Sequence, residues 1–117
     1  DLVPMGRALT EVPVEATAAD VRQISLQTGH LRVLVRSGLD IVGVVHVRDT
    51  LNVPDDTLVD GVMREPFLLD RDTAVYSAVS DMRRSGNQMA LVTDGGHACG
   101  VVTLTDLLGR LLPVTAA

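Results

Sequence analysis

The sequence predicts a mixed fold of the α/β (α+β) kind, built from two successive β-α-β-β-α repeats. Three observations carry this expectation. First, Gly43-Val-Val-His-Val-Arg-Asp49 returns as Gly100-Val-Val-Thr-Leu-Thr-Asp106, with the glycine, both valines and the aspartate at one offset of 57 residues. An offset of that size marks one supersecondary unit used twice. Second, each copy places β-branched residues after a glycine, as a buried strand does, and the later copy leads into Leu107, Leu108, Leu111 and Leu112 at helical spacing. Third, 46% hydrophobic and 21% charged residues is a globular composition, and 117 residues suffice for one compact domain or two small ones sharing a core.

The elements follow in order. Leu2-Val3-Pro4-Met5 reads as extended, because the residue before proline avoids the helical region. Glu11–Glu15 alternates like a short strand. Thr17-Ala-Ala-Asp20 is a capping box that opens a helix with Val21, Ile24 and Leu26 among its apolar positions, and Gly29 stops it. Leu31–Val35 and Ile41–Val47 form a hairpin about Ser37-Gly38-Leu39-Asp40, and a short helix starts at Arg48. Asn52-Val-Pro-Asp-Asp is a polar linker, which divides the chain into 1–54 and 55–117. The second copy repeats the order: strand Pro66–Leu69, then a helix capped by Thr73 with Val75, Ala78, Val79 and Met82. It ends near Gly86. Strands Gln88–Thr93 and Ala98–Val102 follow, joined at Asp94-Gly95-Gly96, and a helix over Asp106–Leu112 stops at Pro113. One such unit leaves a three-stranded sheet half covered, so the two are expected to close a shared core.

Composition narrows the function. Aromatic residues are 2% of the chain, there is no Trp, and the net charge is −5. A nucleic-acid surface would need stacking side chains and a basic face, so no nucleic-acid partner is expected. All ten basic residues are Arg, so a phosphate contact would be made by a guanidinium fork. No window of 18 apolar residues occurs. The chain opens without Met on an apolar stretch, as an excised domain of a longer protein would. Cys99 reads as a buried, inert thiol, and His30, His46 and His97 lack metal-ligand spacing. Asp55, Asp56 and Asp60 read as a solvated loop. No nucleophile is paired with a base, so the chain is expected not to be an enzyme.

The richest chemistry lies at the second strand-to-helix junction. Thr103 can cap the helix, and Asp106 sits in its first turn. A helix N-terminus offers N–H groups to an anion, and a carboxylate there can hold paired hydroxyls such as those of a ribose.

With both units laid out, the chain resembles a tandem pair of CBS (cystathionine-β-synthase) domains, on the signatures Gly43–Asp49 and Gly100–Asp106. Val3-Pro4, the Thr28-Gly29-His30-Leu31-Arg32 segment and Met89-Ala-Leu-Val-Thr-Asp94 resemble the cytosolic module of CorC/cyclin-M-type magnesium transporters, the haemolysin-like proteins. The resemblance implies a pseudo-twofold pair with two clefts. One would bind an adenine nucleotide, ATP (with Mg²⁺) or AMP, through Thr103 and Asp106 on the ribose and His30 and Arg32 facing the same cleft. Arg32 would be the phosphate partner. The other cleft, at Asp49, would be weak or empty, because His46 stands where a ribose-binding hydroxyl would sit. It further implies a homodimer, a transmembrane domain elsewhere in the parent chain, and a place at the cytoplasmic face of the cell membrane. Leu34, Met5 and Thr105 depart from the family pattern, where Pro, Arg and an acidic residue are usual. The competing expectation is a ligand-free structural dimerisation module, or a CBS pair attached to an unrelated enzyme or channel.

Overall fold

The 57-residue offset is a structural repeat, not a local motif. A computed structural model describes residues 10–111. In the first sheet β1 (Glu11–Pro13) runs parallel to β2 (Arg32–Ser37), which is antiparallel to β3 (Asp40–His46). The second sheet repeats this with β4 (Leu68–Asp70), β5 (Met89–Asp94) and β6 (His97–Thr103). Glu11 lies opposite Leu34 as Leu68 does opposite Leu91; Arg32 lies opposite His46 as Met89 does opposite Thr103. Even the register slips coincide, at Val35/Arg36 and Val92/Thr93. The helices α1 (Ala18–Thr28) and α2 (Val75–Ser85) keep the same offset.

The described residues divide into two compact units, 10–66 and 67–111. Each has its own core. In the first, Val12, Val33, Val35, Val45 and Val59 pack with Ala16 and Val21 of the α1 segment. In the second, Leu69, Val92 and Val102 of the sheet pack with Ala78, Val79 and Met82 of α2 and with Leu107 of α3 (Leu104–Leu111). Both cores are aliphatic, as the scarcity of aromatics requires.

Local rules explain most boundaries. Thr17 caps α1 in a reciprocal box: its hydroxyl accepts from Asp20 N, and the Asp20 carboxylate accepts from Thr17 N at 2.9 Å. The helices α1 and α2 both end on a glycine in the left-handed region, Gly29 at φ 76 and Gly86 at φ 75, where a Cβ would be strained.

Residues 55–66 pack with the first compact unit, which ends at Pro66. The backbone explains this: Ala18 N donates to Thr57 O, Val59 N to Ala16 O, and Thr17 bridges Leu58. The structure also departs from expectation. Leu26 is 87% exposed, and the inward position near it is taken by Ser25, whose hydroxyl donates to His30 O at 2.7 Å. Thr73 does not cap α2. The N-cap is Ala74, with no side-chain cap, and Thr73 belongs to the preceding turn, in which the Asp70 carboxylate and carbonyl take the N–H groups of Asp72 and Thr73. Cys99 is exposed, since it lies near the hairpin end of β6, and burial begins only at Gly100. The short helix expected from Arg48 forms, as a 3-10 helix over Val47–Thr50. The Val3-Pro4-Met5 segment and the Leu112-Pro113 stop lie outside the described residues.

One ion pair ties β1 to β2. The Arg36 guanidinium donates Nε to Glu11 Oε2 at 2.7 Å and Nη2 to Oε1 at 2.8 Å. That paired hydrogen bond holds the Glu11 carboxyl below its ordinary value, against the opposing effect of burial. A carboxyl with a depressed folded-state pKa adds stability above its unfolded pKa and loses it as pH falls through the folded value. Denaturant unfolding should therefore show stability falling on acidification below about pH 5. Glu11→Gln should flatten that limb and leave stability near neutrality lower; an unchanged limb would show that Glu11 is not its source.

Candidate functional site

The junction of β6 and α3 is fixed from both sides. Val101 and Val102 are buried before it, and Leu107 is fully buried after it. Leu104 N donates to Gln88 O at 2.9 Å, so the strand becomes a helix with no loop between them. Thr103 Oγ1 accepts from Asp106 N at 3.1 Å, which is the expected cap. Thr103 and Asp106 are each half-buried, and Thr105 between them is exposed. Asp106 in the first turn and Arg110 in the last both complement the helix dipole.

The corresponding junction in the first unit has different chemistry. His46 occupies the place of Thr103 and caps the 3-10 turn through its ring: Nδ1 accepts from Arg48 N at 3.0 Å. That contact needs an unprotonated Nδ1. Burial, chiefly, and then the positive charges of Arg48, Arg32 and Arg64 push the His46 pKa down, opposed by Asp49. The imidazole is therefore neutral at pH 7, and its acceptor nitrogen is used by the protein itself. Asp49 is engaged as well. Its Oδ2 lies 3.6 Å from Arg64 Nε and its Oδ1 lies 4.0 Å from Arg48 Nε. A four-residue 3-10 turn also lacks the summed dipole of a helix.

The remaining expected residues lie in the first unit. The His30 ring Nδ1 is paired with the Thr10 hydroxyl, and His30 N donates to Thr28 Oγ1 at 3.2 Å. No carboxylate backs the His30 ring among the described residues, so Thr10 and His30 do not make a catalytic triad. Arg32 is half-buried, opposite His46, and has no carboxylate partner among the described residues. Thus Thr103 and Asp106 stand together in the second unit, while His30, Arg32 and Asp49 belong to the first. His97 is exposed at the start of β6, and Asp55 pairs with Arg22. No group of three metal-ligating side chains occurs among the described residues.

Arg48 and Arg64 were not expected as site residues. Arg48 lay in plain view inside the first signature. Arg64 gave no sequence signal, because an isolated bridge brings it to Val44 from twenty positions away.

Residues 59–113 match the family model of the CBS domain. No curated protein matches the sequence. Among solved structures, the CBS domain of a bacterial CNNM/CorC family Mg²⁺ transporter in complex with ATP is similar at TM-score 0.82 and 26% identity, over 93% of this chain and 82% of that one. Another structure of such a CBS domain is similar at 0.81 and 28% identity, over 92% and 70%. A protein with CBS domains from Burkholderia ambifaria shares the fold at TM-score 0.81 and 21% identity, over 96% of this chain and 88% of that one. No catalytic family is indicated, and no helix among the described residues is long and apolar enough to cross a membrane.

Proposed function

The chain resembles a tandem pair of CBS domains, with 59–113 matching the family model and one β-α-β-β unit used twice, and from that premise we propose that it is a regulatory adenine-nucleotide-binding module. Its parent would be a CorC/cyclin-M-type membrane protein that moves Mg²⁺ or another divalent cation. The observation that carries this reading is the Thr103–Asp106 junction, with a capped α3 N-terminus and a half-buried carboxylate one turn in. The Asp106 carboxylate would accept hydrogen bonds from the ribose hydroxyls of ATP or AMP, with Thr103 beside it. Arg32 and His30 would serve the phosphates. A chain of net charge −5 repels bare ATP, so Mg²⁺ would accompany it. The ATP-bound similar structure supports the choice of nucleotide. Binding would act by favouring one of two arrangements of the module, which requires different affinities for them. A homodimer, docked beneath its membrane domain at the cytoplasmic face, is the setting we propose.

Calorimetry with ATP and Mg²⁺ tests the site. Asp106→Ala should weaken ATP binding by about tenfold or more, the loss of charge-assisted hydrogen bonds, with little change in melting temperature. EDTA should weaken binding to the unaltered chain. Equal affinity of the chain and its variant would reject the ribose role. The competing reading is a dimerisation module without a ligand. The neutral, internally bonded His46 favours it, because one of two junctions has lost its hydroxyl. A thermal-shift series with ATP, ADP and AMP that leaves the melting temperature unmoved, while the protein remains dimeric, would decide for it.

A further inference from the structure

The two repeats match in backbone but not in charge. Arg32, His46 and Arg48 of the first unit stand where the second has Met89, Thr103 and Thr105. Arg64 has joined them by its own route.

Strand geometry puts these groups on one face. Directly opposed residues of an antiparallel pair point to the same side, and side chains alternate along a strand. Arg32 is opposite His46. Val44, two residues back on β3, is opposite Leu34 and also bridges Arg64 through hydrogen bonds in both directions at 2.9 Å. Arg32, His46 and Arg64 therefore share a face. The opposite face carries Val33, Val45 and Met63, which belong to the hydrophobic core or pack against it. Arg48 reaches the same cluster through Asp49, which it and Arg64 both flank.

Three guanidiniums thus face one carboxylate and one imidazole, and the local charge is positive on a chain of net −5. Arg48 Nε and Arg64 Nε lie 4.0 and 3.6 Å from the Asp49 carboxylate, beyond hydrogen-bond distance, and the two side chains are 71% and 75% exposed. No other acceptor is bonded to either fork among the described residues. Each fork therefore keeps donors for a multiply charged oxygen ligand.

We propose that Arg32, Arg48 and Arg64, gathered around His46 and Asp49, form an anion site for a compact phosphate-type ligand. Inorganic pyrophosphate and the phosphate chain of a nucleotide share that chemistry. A nucleoside is not what this place selects, because Asp49 is held by arginines and the His46 acceptor is taken by Arg48 N. The site shares Arg32 with the nucleotide reading but does not need the ribose contact at Asp106. Asp49 acts as a built-in competitor, a negative charge that the ligand must outbid for the two forks.

The test is calorimetry with inorganic pyrophosphate at fixed ionic strength, without Mg²⁺, on the 117-residue chain. The chain should bind pyrophosphate in excess of sulfate. R48Q/R64Q should weaken binding about tenfold or more, Asp49→Asn should tighten it, and Asp106→Ala should leave it unchanged. NMR titration of the chain itself gives a second readout that needs no variant: bound pyrophosphate should raise the pH at which the His46 ring protonates. Absence of pyrophosphate binding, or binding undiminished in a folded R48Q/R64Q variant, or an unmoved His46 titration overturns the proposal. ATP measured on the same samples separates the two readings. If ATP binds and depends on Asp106 while pyrophosphate does not bind, the anion site falls and the nucleotide reading stands. If pyrophosphate binds and Asp106→Ala leaves ATP binding intact, the reverse holds.

Discussion

Leu107→Ala should destabilise the second unit by about 2–5 kcal/mol, because it removes a fully buried side chain from the core and leaves a cavity. For a chain of this size that corresponds to a fall of about 10 °C or more in melting temperature. Leu107 is the buried residue of α3, and it packs with Ala78, Val79 and Met82 of α2 and with Val92 and Val102 of the sheet. The effect should be uneven. Hydrogen exchange should show amides of 67–111 losing protection while those of 10–66 keep more of theirs, since Leu107 is absent from the first core. Function should suffer by the same route: Leu107 adjoins Asp106, so a loosened α3 would blur the proposed ribose contact. Leu108→Ala, at a half-buried position, should cost less. A melting temperature within a degree or two of the parent for Leu107→Ala would mean that α3 is not held by this core.

Much of this architecture was legible because the sequence states it twice. Thr17-Ala-Ala-Asp20 named a capping box that forms, and the glycine that stops each of the first two helices could be read directly. The Gly43 and Gly100 signatures fixed two strand-to-helix junctions whose strand registers then agree pair for pair. The misreadings have local physical causes. Leu26 fits a helical apolar spacing, but its neighbour Ser25 can satisfy its hydroxyl on His30 O, so the serine turns inward and the leucine outward. Thr73 resembles a cap, but α2 starts one residue later, with Ala74 at the N-cap, after an Asp70–Thr73 turn in which the Asp70 carboxylate accepts from Asp72 N. The short helix after β3 was legible but its 3-10 form was not, since the His46 ring that caps it, accepting from Arg48 N, gives no sequence signal for a tighter turn. The candidate site divides the same way. Thr103 and Asp106 could be named from spacing alone. The Asp49 cluster could not, because its meaning depends on Arg64, which only the fold brings near.

That same bridge sets the second large expectation. Met63 and Arg64 alternate across the sheet, and as Arg64 faces His46, Met63 faces the core. It lies against Gly43: a Cβ built on Gly43 would come within 2.5 Å of Met63 Sδ, 2.9 Å of Cγ and 3.0 Å of Cβ. The first two atoms can swing away, but the Met63 Cβ is tied to the backbone that bridges Val44. Gly43 is therefore required by a close approach, and its backbone needs no unusual φ. Gly43→Ala should cost about 1–3 kcal/mol as an overpacked core. Met63→Ala alone should also destabilise, by leaving a cavity where the methionine packs against the valines of the first core. The double variant should be more stable than the sum of the two losses implies, because the new methyl then enters the space that the methionine leaves. Urea unfolding of the four proteins gives the coupling directly, and a favourable value of at least about 0.5 kcal/mol is expected. Additive losses would place Met63 elsewhere than over Gly43. In that event the bridge that aims Arg64 at Asp49 would lose its main support, since one alternation along 63–64 sets both side chains.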